Sequence, residues 1–207
     1  MVMERTRLSA ADRRTAILAA AQREFAVRGY HGAATAEIAR GAGCSEPMLY
    51  KHFPSKQALF AAVLADAGAR MGERVARIVE DAENPVDAWI EHIATRATRD
   101  PEIIELMRLR MLAVSLADVP EVRAAIAANT AAMRERMVSI LARARDSGYV
   151  RDDVDLEAAA WLWFGFTLAG GFAHAVDPDT AAGNCALMAR TFATLLRPER
   201  REIEEPS

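Results

Sequence analysis

The chain has 207 residues, of which 52% are hydrophobic and 27% are charged, and its formal net charge is −3. This composition excludes a disordered chain and is typical of a globular protein of one or two domains, large enough to bury a core without disulfides or metals. Two distant cysteines, no apolar signal segment and no 18-residue apolar run predict a cytoplasmic protein with no disulfide, metal, cofactor or transmembrane helix.

The predicted elements are all helices, because apolar residues recur at helical spacing along the chain and no stretch alternates as a strand would. Ser9 begins the first helix in a capping-box pattern with Asp12. Gly29 is expected to end this helix, since glycine readily adopts the left-handed conformation of a helix cap. The fold class is therefore predicted to be all-α.

Two short helices follow, separated by a sharp turn. The first of them covers about residues 35–42, and Gly43 permits the turn. Ser45 is placed to cap the next helix, in which Pro47 lies early enough to be tolerated. That helix is expected to end at Phe53, because the residue before a proline disfavours the helical conformation.

Six longer helices are predicted after this point. The first is capped by Ser55 and runs to about Glu80, and proline pairs then separate helices of about 15, 15 and 28 residues. Asp155 is expected to cap a helix from Leu156 to Ala175, and a last helix covers about residues 180–196. These elements divide into a three-helix N-terminal domain, residues 1–54, and a six-helix C-terminal domain, residues 55–207.

The segment from Thr35 to Lys56 has the proportions of a helix-turn-helix that reads double-stranded DNA. Residues 1–56 hold nine basic against five acidic side chains, whereas the remainder carries a charge of −7, which suits nucleic-acid contact through one lobe. Leu49 and Phe53 can face the core of the lobe. A carboxylate such as Glu46 can accept a hydrogen bond from cytosine N4, while Pro47 or Met48 can touch a thymine methyl.

This region resembles the DNA-binding region of TetR-family (tetracycline-repressor-type) transcriptional regulators. About 50 residues carry the resemblance, through Phe25, Gly29, Tyr30, Ile38, Ala39, Ala42, Gly43, Ser45, Leu49, Tyr50, His52, Phe53, Ser55, Lys56, Leu59 and Phe60. The resemblance implies a homodimer that binds a palindromic operator and is released by a small molecule. It places DNA contacts at Thr35, Ser45, Glu46, Pro47, Tyr50, Lys51, His52 and Lys56.

The chain departs from the family pattern at three places. Ala33 and Ala34 stand where hydroxyl residues are frequent, so Thr35 alone remains for a cap and a phosphate contact. Cys44 replaces a usual valine and is expected to be a small buried apolar residue. Glu46 is acidic, and near phosphates such a residue must either read a base or point away.

The C-terminal domain is expected to form the dimer interface and the effector pocket. Small residues in the helix from Leu156 allow close helix approach, and a stripe on the last helix adds to the interface. The predicted interface residues are Trp161, Gly165, Leu168, Ala169, Phe172, Met188 and Phe192. Aromatic, methionine and polar residues are predicted to line a largely apolar pocket, namely Trp89, His92, Arg96, Met107, Met111, Met137, Trp163, Phe166 and His174. An ordinary intramolecular core remains the alternative for both sets.

Enzyme signatures are missing from the sequence, which has no HExxH, GxSxG, Walker A or dinucleotide-binding glycine pattern. The sequence therefore favours a ligand-responsive transcriptional regulator, in the family's usual mode a repressor. The alternative is a helical small-molecule-binding protein or enzyme that retains the helix-turn-helix only as scaffold. Sequence-neutral chromosome binding is disfavoured, because the excess charge of the N-terminal lobe is only +4.

Overall fold

The computed structural model describes residues 9–97 and 99–198, without the side chains of Arg96 and Ala97. Throughout these ranges all regular secondary structure is helical, which confirms the predicted fold class. The helices are α1 (Ala10–Gly32), α2 (Thr35–Gly41), α3 (Glu46–His52), α4 (Lys56–Val79), α5 (Pro85–His92), α6 (Pro101–Val114), α7 (Pro120–Asp146), α8 (Leu156–Val176) and α9 (Pro178–Leu196).

Side-chain caps account for several helix starts that the sequence predicted. Ser9 Oγ accepts from the N–H of Asp12 at 3.1 Å, and Ser55 Oγ accepts from the N–H of Ala58 at 3.0 Å. Asp155 adopts an extended conformation, and its side chain accepts from two backbone N–H groups in the first turn of α8. Each cap satisfies a donor that the helix itself leaves unpaired.

Two helix ends differ from the prediction. Gly29 does adopt a positive φ of 69°, but the chain kinks there and makes a further helical turn to Gly32. The helix after Asn84 is α-helical only to His92 and continues as a π-helical turn over Ile93–Ala97. A π turn takes up extra chain within a helix, and apolar periodicity does not distinguish it from an α-helical turn.

The first compact unit contains α1–α3, the part of α4 up to Arg70, and Glu105–Asn129. This unit extends past residue 54. The boundary between a DNA-binding domain and a C-terminal domain after residue 54 therefore stays a prediction. Its core is apolar and joins α1–α4 to parts of α6 and α7. Asn129 Nδ2 donates to the carbonyl of Leu64 at 2.7 Å, and the Asn129 amide lies where a Cβ on Gly68 would stand. Glycine at this point of α4 therefore permits the contact with α7.

The second compact unit contains Met71–Ile104 and the residues from Thr130 onward. Within it α8 and α9 pack against each other, and α9 also contacts α5 and the π-helical turn. Gly170 permits this close packing, because Cys185 Sγ lies only 3.0 Å from the place where a Cβ would stand. Arg143 Nη2 donates to the carbonyl of Val79 at 3.0 Å, which satisfies an unpaired acceptor at the end of α4.

Candidate DNA-binding surface

The turn between α2 and α3 is fixed by backbone hydrogen bonds around Gly43. The N–H of Gly43 donates to Arg40 O at 3.1 Å, and the N–H of Cys44 donates to Ala39 O at 2.9 Å. This is the Schellman arrangement, which requires a positive φ, and Gly43 has a φ of 65°. The predicted role of this glycine is confirmed.

Buried apolar side chains set the orientation of α3. Leu49 is completely buried and Phe53 is 2% exposed, as predicted, and Ile38 and Ala39 of α2 are buried in the same core. Cys44 is half-buried, and burial raises the pKa of its thiol. Because Leu49 faces inward, the opposite side of α3 is left for contact with solvent or DNA.

Half of the eight predicted DNA contacts are exposed on the helix-turn-helix. Ser45, Pro47 and Lys51 are exposed, and Tyr50 is 42% exposed. The remaining predicted contacts are half-buried, namely Thr35, Glu46, His52 and Lys56. Met48, the alternative to Pro47 for contact with a thymine methyl, is 39% exposed on the same helix.

The predicted cap of α3 by Ser45 is only partly right. Ser45 occupies the N-cap position with an extended backbone, but its side chain makes no capping hydrogen bond. Pro47 stands at the second helical position and has no N–H to donate, which removes one of the two donors that a capping side chain can use. The Ser45 hydroxyl is thereby left for another partner. Similarly, Ala34 occupies the N-cap position of α2 and supplies no side-chain bond.

Three polar side chains join α2 to α3 at the surface. Thr35 Oγ1 donates to Glu46 Oε1, and it lies 3.3 Å from the hydroxyl of Tyr50. Sequence spacing alone could not reveal this, since the three residues occupy two helices on either side of a turn. We call Thr35, Glu46 and Tyr50 the hydroxyl–carboxylate relay.

Lys56 stands at the start of α4 with its ammonium over the Tyr30 ring, 4.9 Å from the ring centre. Its Nζ also lies 3.5 Å from the carbonyl of His31. Burial lowers the pKa of Lys56. Tyr30 is buried and packs edge-on against Phe60, so the core of the unit positions the cation at the surface.

Two arginines of α1 that the sequence reasoning missed brace the helix-turn-helix. Arg13 Nη1 donates to the carbonyl of Gly43 at 3.0 Å, and the guanidinium of Arg14 lies 4.5 Å from the centre of the Phe53 ring. They are separated from their partners by about 30 to 40 residues, and no local motif signals such a contact. They stabilise the turn and the end of α3 respectively.

Known proteins of one family resemble this chain in sequence. The profile of the tetR family of bacterial regulatory proteins matches residues 17–63. The transcriptional repressor AcnR of Corynebacterium efficiens is 31% identical over 145 residues, which cover 70% of this chain and 72% of AcnR. The chain belongs to the TetR family of bacterial regulatory proteins. It is therefore a DNA-binding transcriptional regulator and not an enzyme.

Two further relatives show how far the similarity of this TetR-family chain extends. The transcriptional activator FasR of Mycolicibacterium smegmatis is 52% identical over 58 residues, which cover only 28% of this chain and 26% of FasR. The solved structure of Salmonella enterica GusR has a TM-score of 0.72 and 25% identity, covering 91% of this chain and 97% of GusR. The local identity thus concentrates in part of the chain, while the TetR fold extends over nearly all of it.

Several predicted pocket residues of the TetR-family chain form an aromatic cluster in the second unit. Trp163 lies 5.6 Å from Trp89, 5.2 Å from Phe166 and 5.4 Å from Phe192 between ring centres. Trp89 also stacks on His92, with a centre distance of 5.4 Å. Trp89 Nε1 is buried and has no hydrogen-bond partner among the described residues. We call these five residues the aromatic cluster.

The other predicted pocket residues are less clearly placed. Met137 is buried, and His174 is half-buried with its Nδ1 inaccessible and unpartnered. Met107 and Met111 belong to the first unit, and Met111 is 39% exposed. The Arg96 side chain lies outside the described residues. The composition of a pocket therefore stays a prediction.

The predicted dimer residues differ in exposure. Trp161, Gly165, Ala169 and Phe172 are exposed on α8, whereas Leu168 and Met188 are half-buried. Phe192 is 7% exposed and packs against Trp163 within the unit, which fits the alternative of an intramolecular core, and its place in the interface stays a prediction. The sequence missed the exposed apolar side chains of Leu162, Val176 and Leu187, whereas Leu195, which is also exposed, belongs to the apolar stripe predicted on the last helix.

The same α8 helix is long and apolar enough to cross a membrane by length and composition, although core helices of soluble proteins pass that test too. The sequence predicted no transmembrane helix here, because glycines and a histidine interrupt the apolar stretch. In this TetR-family chain α8 packs against α9, and its exposed side chains include Trp161 and Phe172, which were predicted for the dimer. In the described ranges, no group of three or more His, Cys, Asp or Glu side chains is suited to hold a metal ion.

Proposed function

We propose that the protein is a homodimeric, ligand-responsive regulator that binds a palindromic operator. The observation that carries the proposal is the outer face of α3, where Pro47, Tyr50 and Lys51 are exposed, together with Lys56 at the start of the next helix, whose cation lies over the Tyr30 ring. A recognition helix needs side chains that read base edges and neighbours that grip phosphates, and this face supplies both.

Each predicted contact has a role suited to its chemistry. Lys51 and Lys56 supply cations to phosphates, and His52 and Ser45 supply further hydrogen-bond donors. Glu46 and Pro47 stand at the start of α3, the part of a recognition helix that reaches base edges. Tyr50 and Thr35 complete the proposed DNA surface, with the roles developed in the next subsection.

The exposed apolar face of α8 and α9 is proposed as the dimer interface. Trp161 is 53% exposed and Phe172 is 59% exposed, and apart from the adjacent turns of α8 itself no described atom lies within 4 Å of a Cβ built on Gly165. A second copy would cover the apolar face and pack closely against the glycine. In the dimer two copies of α3 would enter the major groove with half-site centres about 34–36 Å apart.

The aromatic cluster is proposed to take part in effector recognition. A buried N–H without an acceptor costs free energy, and Trp89 Nε1 is such a donor beside aromatic rings. An apolar effector with an oxygen acceptor would satisfy this donor. It would regulate DNA binding only if it bound one conformation of the dimer more tightly than the other.

Repression is the proposed sign of regulation. AcnR, which the chain matches over 70% of its length, is named a repressor, whereas the activator FasR matches over a shorter stretch. We place the protein in the cytoplasm, where chromosomal DNA is accessible. The apolar face of α8 is assigned to a second copy of the chain and not to a membrane.

Selection of binding sites from random duplexes by the purified protein tests the proposal. The expected result is an enriched inverted repeat whose binding is weakened by Lys51→Ala but not by Arg190→Ala, a matched loss of an exposed cation on α9. Enrichment of no sequence would favour the alternative, in which the helix-turn-helix serves only as scaffold. Equal weakening by both variants would point to sequence-neutral attraction.

A further inference from the structure

The hydroxyl–carboxylate relay has a defined direction, which follows from counting its protons. At neutral pH a glutamate carboxylate accepts hydrogen bonds and has no proton to donate. The one hydroxyl proton of Thr35 is directed at Glu46 Oε1. The 3.3 Å contact between Thr35 and Tyr50 then requires the Tyr50 hydroxyl as the donor. The relay therefore runs from Tyr50 to Thr35 to Glu46.

This direction conflicts with a phosphate role for the two hydroxyls. A phosphate oxygen needs a donor, but both protons point at the protein's own chain. If Thr35 donated its proton to a phosphate, the Glu46 carboxylate would lose this hydrogen bond. The carboxylate would then lie near the negative phosphate, which is unfavourable. The relay is consistent instead with holding the carboxylate in one position.

The position of Glu46 is the one from which a recognition helix reads DNA. It is the first residue of α3, and N-terminal residues of such helices contact base edges in the major groove. Thr35 occupies one acceptor site of the carboxylate, so further lone pairs remain for another donor. Glu46 is half-buried, and the Tyr50 beside it is 42% exposed, so the relay lies at the surface of the unit.

We propose that Thr35 and Tyr50 are positioning residues that hold Glu46 as the acceptor for a cytosine N4 amino group in each operator half-site. The inference rests on the proposed operator-binding function and deepens it. Thr35 then contributes to base specificity through Glu46 and does not contact a phosphate. The acidic residue, a departure from the family pattern, becomes a specificity determinant.

Cytosine fits this acceptor better than the other bases do. In the major groove cytosine presents an amino donor without an adjacent acceptor, while guanine presents two acceptors and thymine presents one together with a methyl group. Adenine presents N6–H beside the acceptor N7, an edge that matches a side-chain amide. A fixed carboxylate therefore favours cytosine and repels guanine and thymine.

Binding-site selection with the full-length protein and four variants tests the inference. Glu46→Gln supplies an amide, so the preferred base at one half-site position should change from cytosine to adenine. Thr35→Val keeps the shape but removes the hydroxyl, and it should reduce the preference for cytosine at that position at least about fivefold. Tyr50→Phe should reduce it less, and Thr35→Ser, which keeps the hydroxyl, should preserve it.

The salt dependence of binding separates this role from a phosphate contact. Thr35→Val should leave the slope of log K against log salt unchanged, because no phosphate contact is lost. Wild-type base preference in Thr35→Val, with or without a change in affinity, would overturn the positioning role. If Thr35→Val unfolds, Glu46→Gln decides the inference. A changed preferred base supports the inference, and an unchanged one overturns it.

Failure of the inference differs from failure of the proposed function. If the wild-type protein selects no sequence, the proposed function is wrong and the inference falls with it. If the wild-type protein selects an operator and Glu46→Gln selects the same one, only the inference is wrong.

Discussion

The ammonium of Lys56 lies 4.9 Å from the centre of the Tyr30 ring, so the first residue of α4 is held against the last turn of α1. Tyr30 is itself fixed by Phe25 and Phe60, with ring centres 6.0 Å and 5.4 Å away. A buried aromatic core therefore sets the position of a cation at the start of α4, four residues after the end of the recognition helix. A pre-positioned cation loses less side-chain entropy when it binds a phosphate.

Replacing Lys56 by alanine tests its phosphate role. The variant should weaken binding to specific and random duplexes alike, and it should reduce the slope of log K against log salt by about one unit. Fluorescence titrations at several salt concentrations provide the slope. Lys56→Arg keeps the charge and should keep the slope. A wild-type slope in the alanine variant would remove Lys56 from the phosphate contacts.

Replacing Phe172 by aspartate tests the proposed dimer interface. A charge at the centre of an apolar contact is costly to bury, so the variant should be monomeric in sedimentation equilibrium. Operator affinity should fall at least about 100-fold, because the two half-sites are no longer bound by linked modules. Val27→Asp is the matched control, since Val27 is an isolated apolar residue on α1 and 78% exposed. A dimeric Phe172→Asp protein would place the interface elsewhere.

Replacing Trp89 by phenylalanine tests the proposed effector donor. The change keeps an aromatic ring but removes the buried, unpartnered N–H. We expect the stability of the free protein to change little, while an effector identified by thermal-shift screening of small apolar oxygen compounds binds about tenfold more weakly. Trp161→Phe, at an exposed tryptophan on α8, should leave effector affinity unchanged. Equal effector binding by wild type and Trp89→Phe would exclude the indole N–H as a contact.

Replacing Asp100 by asparagine tests the ion pair with Arg74. Burial alone would raise the pKa of Asp100, but Arg74 and the backbone N–H groups of Glu102 and Ile103 together lower it. A lowered pKa stabilises the fold above the unfolded-state value of about 4, and this stability is lost as the pH falls through the folded-state value. The variant should lose about 1 kcal/mol at pH 7 and show a shallower loss between roughly pH 5 and pH 2.

Urea unfolding across this pH range measures the effect. Asp153→Asn is the matched control, because Asp153 also pairs with an arginine but is 72% exposed. Its unfolding free energy should change by less than about 0.5 kcal/mol. Parallel pH profiles for wild type and Asp100→Asn would show that the ion pair does not contribute.

Replacing Gln22 by leucine tests a buried polar network in the first unit. Gln22 is 7% exposed, its Nε2 donates to Glu105 Oε2 at 2.9 Å, and its Oε1 accepts from Arg70 at 2.6 Å. Losing both bonds should reduce the unfolding free energy by about 1–3 kcal/mol. Gln57→Leu, at an exposed site on α4, should change it by less than about 0.5 kcal/mol. Equal stabilities for the two variants would contradict the network's contribution.

The sequence predicted the helices and the helix-turn-helix well, because these features depend on local chemistry. Proline pairs, the Gly43 turn and caps such as Asp155 act within a few residues of where they occur. Helix α3 was recognised from a short motif, and the burial of Leu49 and Phe53 followed from their spacing.

Contacts between distant residues could not be predicted in this way. Helix α9 has apolar side chains on two faces, and only its packing on α8 shows that Phe192 is buried while Leu195 is exposed. The relay of Thr35, Glu46 and Tyr50 likewise depends on how α2 and α3 cross. The bonds from Gln22 to Glu105 and from Asn129 to Leu64 join residues 83 and 65 positions apart.

Hydroxyl-radical footprinting of a selected duplex tests most directly that this protein reads an operator as a dimer through α3. We predict two symmetry-related protected regions whose centres lie about 10 base pairs apart, with contacts on both sides of each major groove. Protection of one half-site alone would contradict the dimer. Uniform protection without a boundary, or no protection, would contradict sequence-specific reading by α3.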